Sequence, residues 1–341
     1  MNGKERVQRA LAFQVTDAVP YYLMRRPEVE WALREHFGVD DIDAEMGSSL
    51  YLLSVPFLPP AGVEDLRPGE VFRDAFGVGY QWTERGGMCP RYHPLSAVDS
   101  LAAFELPEAQ LDAHAVEAAI RAHSDRFILA IKYCGLFERA WFLRSMEQLC
   151  LDFYDNVAFV EQLLDLLVEF NLSVIRQLIR FDVDGIMLGD DWGSQTSLIM
   201  GPAIWRRLIK PRAARLYAEV KSAGLPVFVH SCGNIMEIIP DLIEIGVDAL
   251  NPIQVIAMDP EEVKRRFGDR ITLFGGVSTQ KTFPYGTPDE VEAETRRRIE
   301  VLGEGGGYIL APDQELQMDV PIENIMAFVR AAQAQSPRTD G

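Results

Sequence analysis

The sequence predicts a single barrel of alternating β-strands and α-helices, and three observations support this prediction. Short apolar runs alternate with longer amphipathic segments from residue 127 to residue 311, which is the pattern of parallel βαβ units. Glycines follow the helical segments, where a left-handed cap is favoured. The 341 residues, 48% of them hydrophobic, suffice for one large α/β domain. The number of strand–helix units approaches the eight of a TIM barrel.

The predicted elements follow the chain in order, beginning with an amphipathic helix close to residue 1. Strands are expected at 20–24, 127–133, 183–188, 227–230, 249–253, 271–274 and 308–311, with a weaker one at 71–80. Helices are expected at 157–180, 201–223, 235–245, 260–267 and 288–302. A doubly wound sheet is the alternative, but no Gly-x-Gly-x-x-Gly follows the first strand.

The amino-acid composition leads to predictions about the domain organisation, the binding partners and the location of the protein. Residues 40–110, rich in Pro and Gly, are predicted to form an excursion over the barrel mouth within one domain, 1–334, ahead of a flexible tail, 335–341. A net charge of −18 argues against nucleic acids and anionic membranes as partners. Because the sequence contains neither a signal peptide nor a run of about 20 apolar residues, a cytoplasmic protein is expected. Four widely spaced cysteines predict reduced thiols, and a homodimer is compatible with these features.

Polar residues lie directly after the predicted strands, where barrel enzymes build their active sites. An acidic residue at one of these positions, taken alone, is also typical of a solvated helix cap. However, six successive predicted strands are followed by polar residues. They are Glu138, Asp190, Asp191, His230, Cys232, Asn251, Gln254, Ser278, Asp313, Gln314 and Glu315.

The segment from Val227 to Asn234 ends an apolar run with His230 and Cys232, two residues apart. Side chains at i and i+2 of a strand project from the same face, so an imidazole and a thiolate can bind one metal ion. Zinc accepts such a mixed pair. The alternative is a hydrogen-bonded core histidine beside a small buried cysteine.

Longer motifs around this pair resemble the uroporphyrinogen decarboxylase superfamily. These motifs are His-Ser-Cys-Gly-Asn at 230–234, the segment 239–254, Phe-Gly-Gly-Val at 274–277, the strand 308–312 and Asp-Val-Pro-Ile-Glu-Asn at 319–324. The resemblance covers nearly the whole chain and implies a single (β/α)8 barrel. It implies two kinds of activity, because the superfamily contains porphyrinogen decarboxylases without cofactors and zinc-dependent corrinoid methyltransferases.

The sequence departs from the decarboxylase branch at three motifs. The arginine-bearing motif that binds substrate carboxylates is only partly kept in Met24-Arg25-Arg26-Pro27-Glu28. The loop expected to carry an aspartate, 48–57, contains no acid, and the segment expected to carry a C-terminal histidine, 312–316, contains none. A decarboxylase-like lyase without metal is therefore the less favoured alternative.

The methyltransferase branch resembles the chain more closely. Its members bind zinc through a His-x-Cys pair, matched by His230 and Cys232, and a distant cysteine, whose position falls in the segment 313–315. The resemblance therefore implies that Gln314 or Glu315 replaces this thiolate as a metal ligand, and that Glu138 or Asp191 completes the coordination. Exchanging a thiolate for oxygen donors leaves zinc more electrophilic, which favours polarising an ether oxygen.

These implications predict O-demethylation of a small methoxylated compound, a class that includes aromatic methyl ethers. Zinc stabilises the leaving oxygen while a Co(I) corrinoid, carried by a partner protein docked at the barrel mouth, accepts the methyl group. Glu138 and Asp191 are the candidate catalytic residues, while Arg139 and Arg144 are interpreted as partners of acids. Two alternatives stay open, a metal-free lyase or hydrolase that uses Asp191 and Glu138, and a non-enzymatic corrinoid- or tetrapyrrole-binding protein. The candidate substrate contacts are Phe137, Trp141, Trp192, Tyr51, Phe57, Asn251 and Gln254.

Overall fold

The computed structural model describes residues 1–55, 70–82 and 88–335. The strands of these residues are β1 (Leu50–Ser54), β2 (Val71–Arg73), β3 (Gly79–Trp82), β4 (Met88–Tyr92), β5 (Phe127–Lys132), β6 (Gly185–Gly189), β7 (Val227–His230), β8 (Ala249–Ile253), β9 (Thr272–Val277) and β10 (Tyr308–Pro312). Seven of them form a curled parallel sheet in the order β1-β5-β6-β7-β8-β9-β10, and β2-β3-β4 form a separate antiparallel sheet. The predicted strands between residues 127 and 311 are confirmed.

Helices alternate with the parallel strands, as the apolar periodicity predicts. They are α1 (Gly3–Leu11), α2 (Pro27–Phe37), α3 (Ile42–Glu45), α4 (Ala113–Ala122), α5 (Phe137–Arg144), α6 (Met146–Asp155), α7 (Val157–Leu178), α8 (Gly201–Ile204), α9 (Lys210–Ser222), α10 (Ile239–Glu244), α11 (Pro260–Phe267), α12 (Thr282–Tyr285), α13 (Pro288–Leu302) and α14 (Ile322–Gln333). A π-helical turn, Trp205–Ile209, interrupts the predicted helix 201–223 just before Pro211, which lacks an N–H. No helix of the described residues is both long and apolar enough to cross a membrane.

The eighth strand predicted at 20–24 is reduced to short bridges. The N–H of Tyr22 donates to Leu310 O (3.0 Å), and the N–H of Ser49 donates to Tyr21 O (2.8 Å). The segment thus contacts both β10 and the residue before β1. A regular ladder does not form here, because the N–H of Tyr21 bonds to the side-chain hydroxyl of Ser49. The structure is therefore a curled parallel sheet of seven strands, which confirms the barrel-like architecture but not a complete eight-strand barrel.

Two expectations for the region 40–110 require correction. The predicted strand 71–80 is not part of the parallel sheet, because the chain reverses after β2. The Asp74 carboxylate accepts the N–H groups of Phe76 and Val78 at this turn, and Gly77 has φ +80°. Conversely, β1 lies inside the region read as an excursion and pairs with β5.

Apolar side chains fill the space inside the curled parallel sheet at the amino-terminal ends of its strands. Large apolar side chains from the strands of the parallel sheet, including Phe127, Met187, Phe228 and Phe274, pack together inside the curl. Helix α1 adds its apolar face to the same cluster. Helices such as α7 cover the outer face. Since this end is filled, polar groups collect at the carboxyl ends of the strands.

Candidate metal centre

Three potential metal ligands converge at the carboxyl ends of β6 and β7. They are Asp191, which follows β6, and His230 and Cys232, at and just beyond the end of β7, and their ligand atoms all lie within 4.8 Å of one another. His230 Nε2 is 3.5 Å from Cys232 Sγ and 3.8 Å from Asp191 Oδ1. The structure thus brings together a carboxylate, an imidazole and a thiol, which are the ligand types of zinc sites.

Asn251, on β8, orients the His230 ring. The Asn251 amide nitrogen donates to Phe274 O (3.3 Å), which turns its oxygen toward His230 Nδ1 (2.7 Å). Nδ1 therefore carries the proton, and the lone pair of Nε2 faces Cys232 and Asp191. Asn251 is completely buried and acts here through the histidine.

The backbone of the loop after β7 is held by side chains of neighbouring strands. The N–H of Cys232 donates to Asp191 Oδ1 (2.8 Å), and the N–H of Gly233 donates to Gln254 Oε1 (2.8 Å). Gly233 has φ +81°, and an added Cβ would lie 2.4 Å from the backbone of Gly193. Only glycine fits this crossing of two loops, which places Cys232 beside Asp191.

Gln314 and Glu315, after β10, border the same centre. The Gln314 amide nitrogen donates to Cys232 Sγ (2.8 Å), and its oxygen accepts the N–H of Glu315 (2.9 Å). The buried Asp313 carboxylate positions this segment by accepting the N–H groups of Val255 (3.0 Å) and Thr279 (2.8 Å). Within the described residues, Glu315 is not among the side chains whose ligand atoms cluster within 4.8 Å.

A polar cavity of about 390 Å³ opens beside His230. Its wall includes Glu315, whose carboxyl pKa is raised by burial against the opposing effect of Arg26 and His230. Tyr133 packs edge-on against the His230 ring at a centroid distance of 5.3 Å. The lining residues are Arg26, Tyr133, His230, Gln314, Glu315 and Gln317.

Asp190 anchors α5 at the edge of the centre. Its Oδ2 accepts the N–H groups of Leu136 (3.1 Å) and Phe137 (2.8 Å) and the indole N–H of Trp192 (2.9 Å). Its Oδ1 accepts the N–H of Glu138 (2.7 Å). Burial nevertheless raises the pKa of Asp190 to about 6. An acid at the first turn of a helix is stabilised by the free N–H groups there, so Asp190 fixes the position of Glu138.

Glu138 is a buried carboxyl with a raised pKa. Burial, together with the Asp190 and Asp191 carboxylates, raises its pKa to about 8, against a hydrogen bond from the Asp191 backbone and the charge of Lys132. Lys132 is itself buried, which lowers its pKa to about 8, and its Nζ donates to the carbonyl oxygens of Tyr133 (2.5 Å) and Cys134 (3.2 Å). A protonated carboxyl next to Asp191 can supply a proton to a leaving group.

The predicted aromatic substrate contacts are dispersed rather than gathered at this centre. Phe137 and Trp192 are buried and pack against Phe153 and Trp205, respectively. Trp141 stacks edge-on with Phe142, and Tyr51 stacks on His123. Phe57 lies outside the described residues. The aromatic ring beside His230 belongs instead to Tyr133, at the carboxyl end of the predicted strand 127–133, a position that could have indicated it.

The two arginines interpreted as partners of acids are confirmed in that role. Arg139 pairs with Asp74 (2.6 Å), and Arg144 pairs with Asp152 (2.6 Å). Arg25 is likewise engaged, since Asp43 lies 2.8 Å from its guanidinium and Glu30 3.2 Å.

Comparison with known proteins identifies the family. Residues 71–335 match the family model described as uroporphyrinogen decarboxylase (URO-D). The chain belongs to the uroporphyrinogen decarboxylase family. The expected resemblance is thereby confirmed. The proteins that are similar to this chain have two kinds of activity.

One relative is the methylcobamide:CoM methyltransferase MtaA of Methanosarcina barkeri, 30% identical over 171 residues, or 50% of this chain and 48% of the relative. The chain therefore matches about half the length of this relative. The uroporphyrinogen decarboxylase of Methylococcus capsulatus is 24% identical over 96% of this chain and 97% of its own. A solved methyltransferase from Methanosarcina mazei shares the fold, with a TM-score of 0.75, 21% identity and 98% of each chain covered. Both groups of relatives are enzymes.

Proposed function

We propose that the protein is a cytoplasmic, corrinoid-dependent methyltransferase that carries zinc at Asp191, His230 and Cys232. In this proposal it moves a methyl group from a small methoxylated compound to a corrinoid protein. The observation that carries the proposal is the three-ligand cluster with a histidine lone pair already aimed into it. Similarity to MtaA over half of the chain supports the same reaction class.

The residues present fit zinc in chemistry and in orientation. Asp191, His230 and Cys232 offer oxygen, nitrogen and sulfur, and the Asn251 oxygen engages Nδ1 so that Nε2 is the nitrogen that faces the other two ligands. When bound, zinc would supply Lewis acidity that stabilises negative charge on the leaving oxygen.

The chain itself supplies the proton in this proposal. As the methyl–oxygen bond breaks, both bonding electrons stay on the oxygen, and the methyl group leaves with the corrinoid that attacks it. Glu138, whose pKa is raised to about 8 by burial and by neighbouring carboxylates in the metal-free protein, would donate its proton to that oxygen and be reprotonated from solvent. Asp190 holds Glu138 in place through the backbone of α5.

The cavity favours a small methyl donor with hydrogen-bonding groups. Five polar side chains line it beside His230, including Arg26, Glu315 and Gln317, whereas the aromatic candidates Phe137 and Trp192 lie in the core. The reading as a decarboxylase receives less support, because Arg25, expected from the family motif to bind carboxylates, is paired with Asp43 and Glu30.

Metal analysis tests the centre. Purified wild-type protein is expected to contain about one zinc per chain, and His230→Ala and Cys232→Ala are each expected to lose most of it. Cys150→Ala removes a thiol on α6, away from the cluster, and should keep the metal. Undiminished zinc in both site variants would refute the proposed ligands.

A methyl-transfer assay tests the reaction. A Co(I) corrinoid protein and a panel of small methoxylated compounds are expected to give methylated corrinoid, followed by absorbance, only with the wild-type enzyme and both components. Release of carbon dioxide from uroporphyrinogen would instead establish the decarboxylase. Stoichiometric corrinoid or tetrapyrrole binding without turnover would establish a binding protein.

A further inference from the structure

Gln314 occupies the segment in which the family resemblance expects a third zinc ligand, yet both ends of its amide are already engaged. Its nitrogen lies 2.8 Å from Cys232 Sγ, and its oxygen lies 2.9 Å from the backbone nitrogen of Glu315. The sequence alone leaves open whether this side chain offers its oxygen to the metal. The two contacts together decide the question.

The direction of the amide follows from its backbone partner. A backbone N–H is a donor only, so the Gln314 oxygen must face Glu315. The NH₂ end is therefore the end that faces the sulfur, and a sulfur atom accepts this hydrogen bond. Turning the oxygen toward the centre would break the bond to Glu315 and point an acceptor at a thiolate.

We infer that Gln314 is a positioning residue that donates its N–H to the Cys232 sulfur and is not a metal ligand. This inference rests on the metal centre proposed above. With Gln314 excluded as a ligand, the centre has three protein ligands, and only Cys232 supplies sulfur. The Gln314 amide occupies the place in which the family resemblance expects a second thiolate. Both His230 and Gln314 border the polar cavity, so the remaining coordination position is accessible to a small molecule.

The N–H···S bond also changes the metal chemistry. A hydrogen bond to a thiolate withdraws electron density from sulfur, so the thiolate donates less charge to the metal. The metal is then a stronger Lewis acid than it would be with two unmodified thiolates. This is the direction required for stabilising an oxygen leaving group.

Cobalt substitution tests the inference without measuring activity. Metal-free full-length protein is loaded with Co(II), and the thiolate-to-cobalt absorption band is recorded for wild type, Gln314→Leu and Gln317→Leu. We expect one Co(II) per chain in all three, with the band displaced to longer wavelength in Gln314→Leu alone. Gln317 lines the same cavity without a bond to the sulfur, so Gln317→Leu is the matched control.

Sulfur counting by X-ray absorption of the zinc form provides the second measurement. Wild type is expected to show one sulfur ligand, and Gln314→Cys two. The inference would be overturned by metal loss in Gln314→Leu, by an unmoved band, or by a zinc-bound wild-type structure with Gln314 Oε1 roughly 2.0–2.2 Å from the metal. The wild-type structure decides the matter even where Gln314→Leu does not fold.

The outcomes also separate this inference from the proposed function. Wild-type protein that takes up neither Co(II) nor zinc would overturn the metal centre and the inference together. Metal binding with the expected band shift but no methyl transfer would overturn the proposed reaction and leave the role of Gln314 standing.

Discussion

Replacing Glu138 by glutamine should change how the stability of the metal-free protein depends on pH. The carboxyl is largely buried beside Asp190 and Asp191, which raises its pKa from 4.5 to about 8. The unfolded chain releases this proton near pH 4.5, whereas the folded protein keeps it up to about pH 8. The corresponding stabilisation is complete below pH 4.5 and is lost as the pH rises through 8.

The size of this effect follows from the pKa. At about 1.4 kcal/mol per pH unit, the difference between 4.5 and 8 sets an upper limit of roughly 5 kcal/mol. The side chain is partly exposed, and Asp190 has a raised pKa of its own. We therefore expect wild type to lose roughly 2–3 kcal/mol relative to Glu138→Gln between about pH 5 and pH 8.5. Glutamine has the same shape and no proton to release.

Urea unfolding in the presence of a chelator, at both pH values, measures this difference directly. Glu147→Gln, on the exposed surface of α6, is the control and should follow wild type. If wild type and Glu138→Gln change in parallel with pH, Glu138 does not hold a proton at neutral pH. Its proposed role as proton donor would then be rejected.

Two further predictions concern the groups that support the centre. Asn251→Leu removes the oxygen that faces His230 Nδ1, so zinc affinity should fall about 10- to 100-fold in competition with a chelator, and an unchanged affinity would contradict the assigned tautomer. Arg144→Met removes the cation at 2.6 Å from the buried Asp152 carboxylate and leaves it the neutral Gln148 amide, so urea unfolding should show a loss of about 3–5 kcal/mol. The double variant Arg144→Met, Asp152→Leu should recover much of that stability, and a loss below about 1 kcal/mol in the single variant would contradict the burial argument.

The cluster of Asp191, His230 and Cys232 was predictable because the fold determines which residues meet. Parallel strands place their carboxyl ends at one edge, so residues that follow successive strands become neighbours whatever their distance in the chain. This rule brings the segment with Asp191 to the segment with His230 and Cys232. It also brings Asn251 and Gln314 to the same edge.

The rule does not predict where each side chain points. Asp190 and Asp191 are adjacent, yet the first accepts backbone N–H groups at the start of α5 and the second faces His230. Phe137 and Trp192 follow their strands as Tyr133 does, but they pack into the core, while Tyr133 reaches the cavity. These outcomes depend on local turns and on packing between distant elements, which periodicity does not encode.

The strands in the first part of the chain were harder to predict for a different reason. β1 has only five residues, and the sequence that follows it is rich in Pro and Gly, so no helical periodicity after the strand marks a βα unit. The segment 71–80 has the composition of a strand, but the Asp74 carboxylate and Gly77 fold it into a hairpin turn. Short apolar runs specify a strand without specifying its partner.

The proposed zinc ligands bear on the direction of methyl transfer. Two thiolates on zinc reduce its Lewis acidity and suit activation of a thiol as methyl acceptor, whereas one thiolate with an oxygen and a nitrogen ligand keeps the metal more electrophilic. In the proposed centre, the hydrogen bond from the Gln314 amide would withdraw further charge from the remaining sulfur. Glu138 adds a proton that a leaving oxygen requires and a thiolate nucleophile does not. All three features act in the same sense, so we expect this family member to take methyl groups from oxygen rather than to deliver them to a thiol.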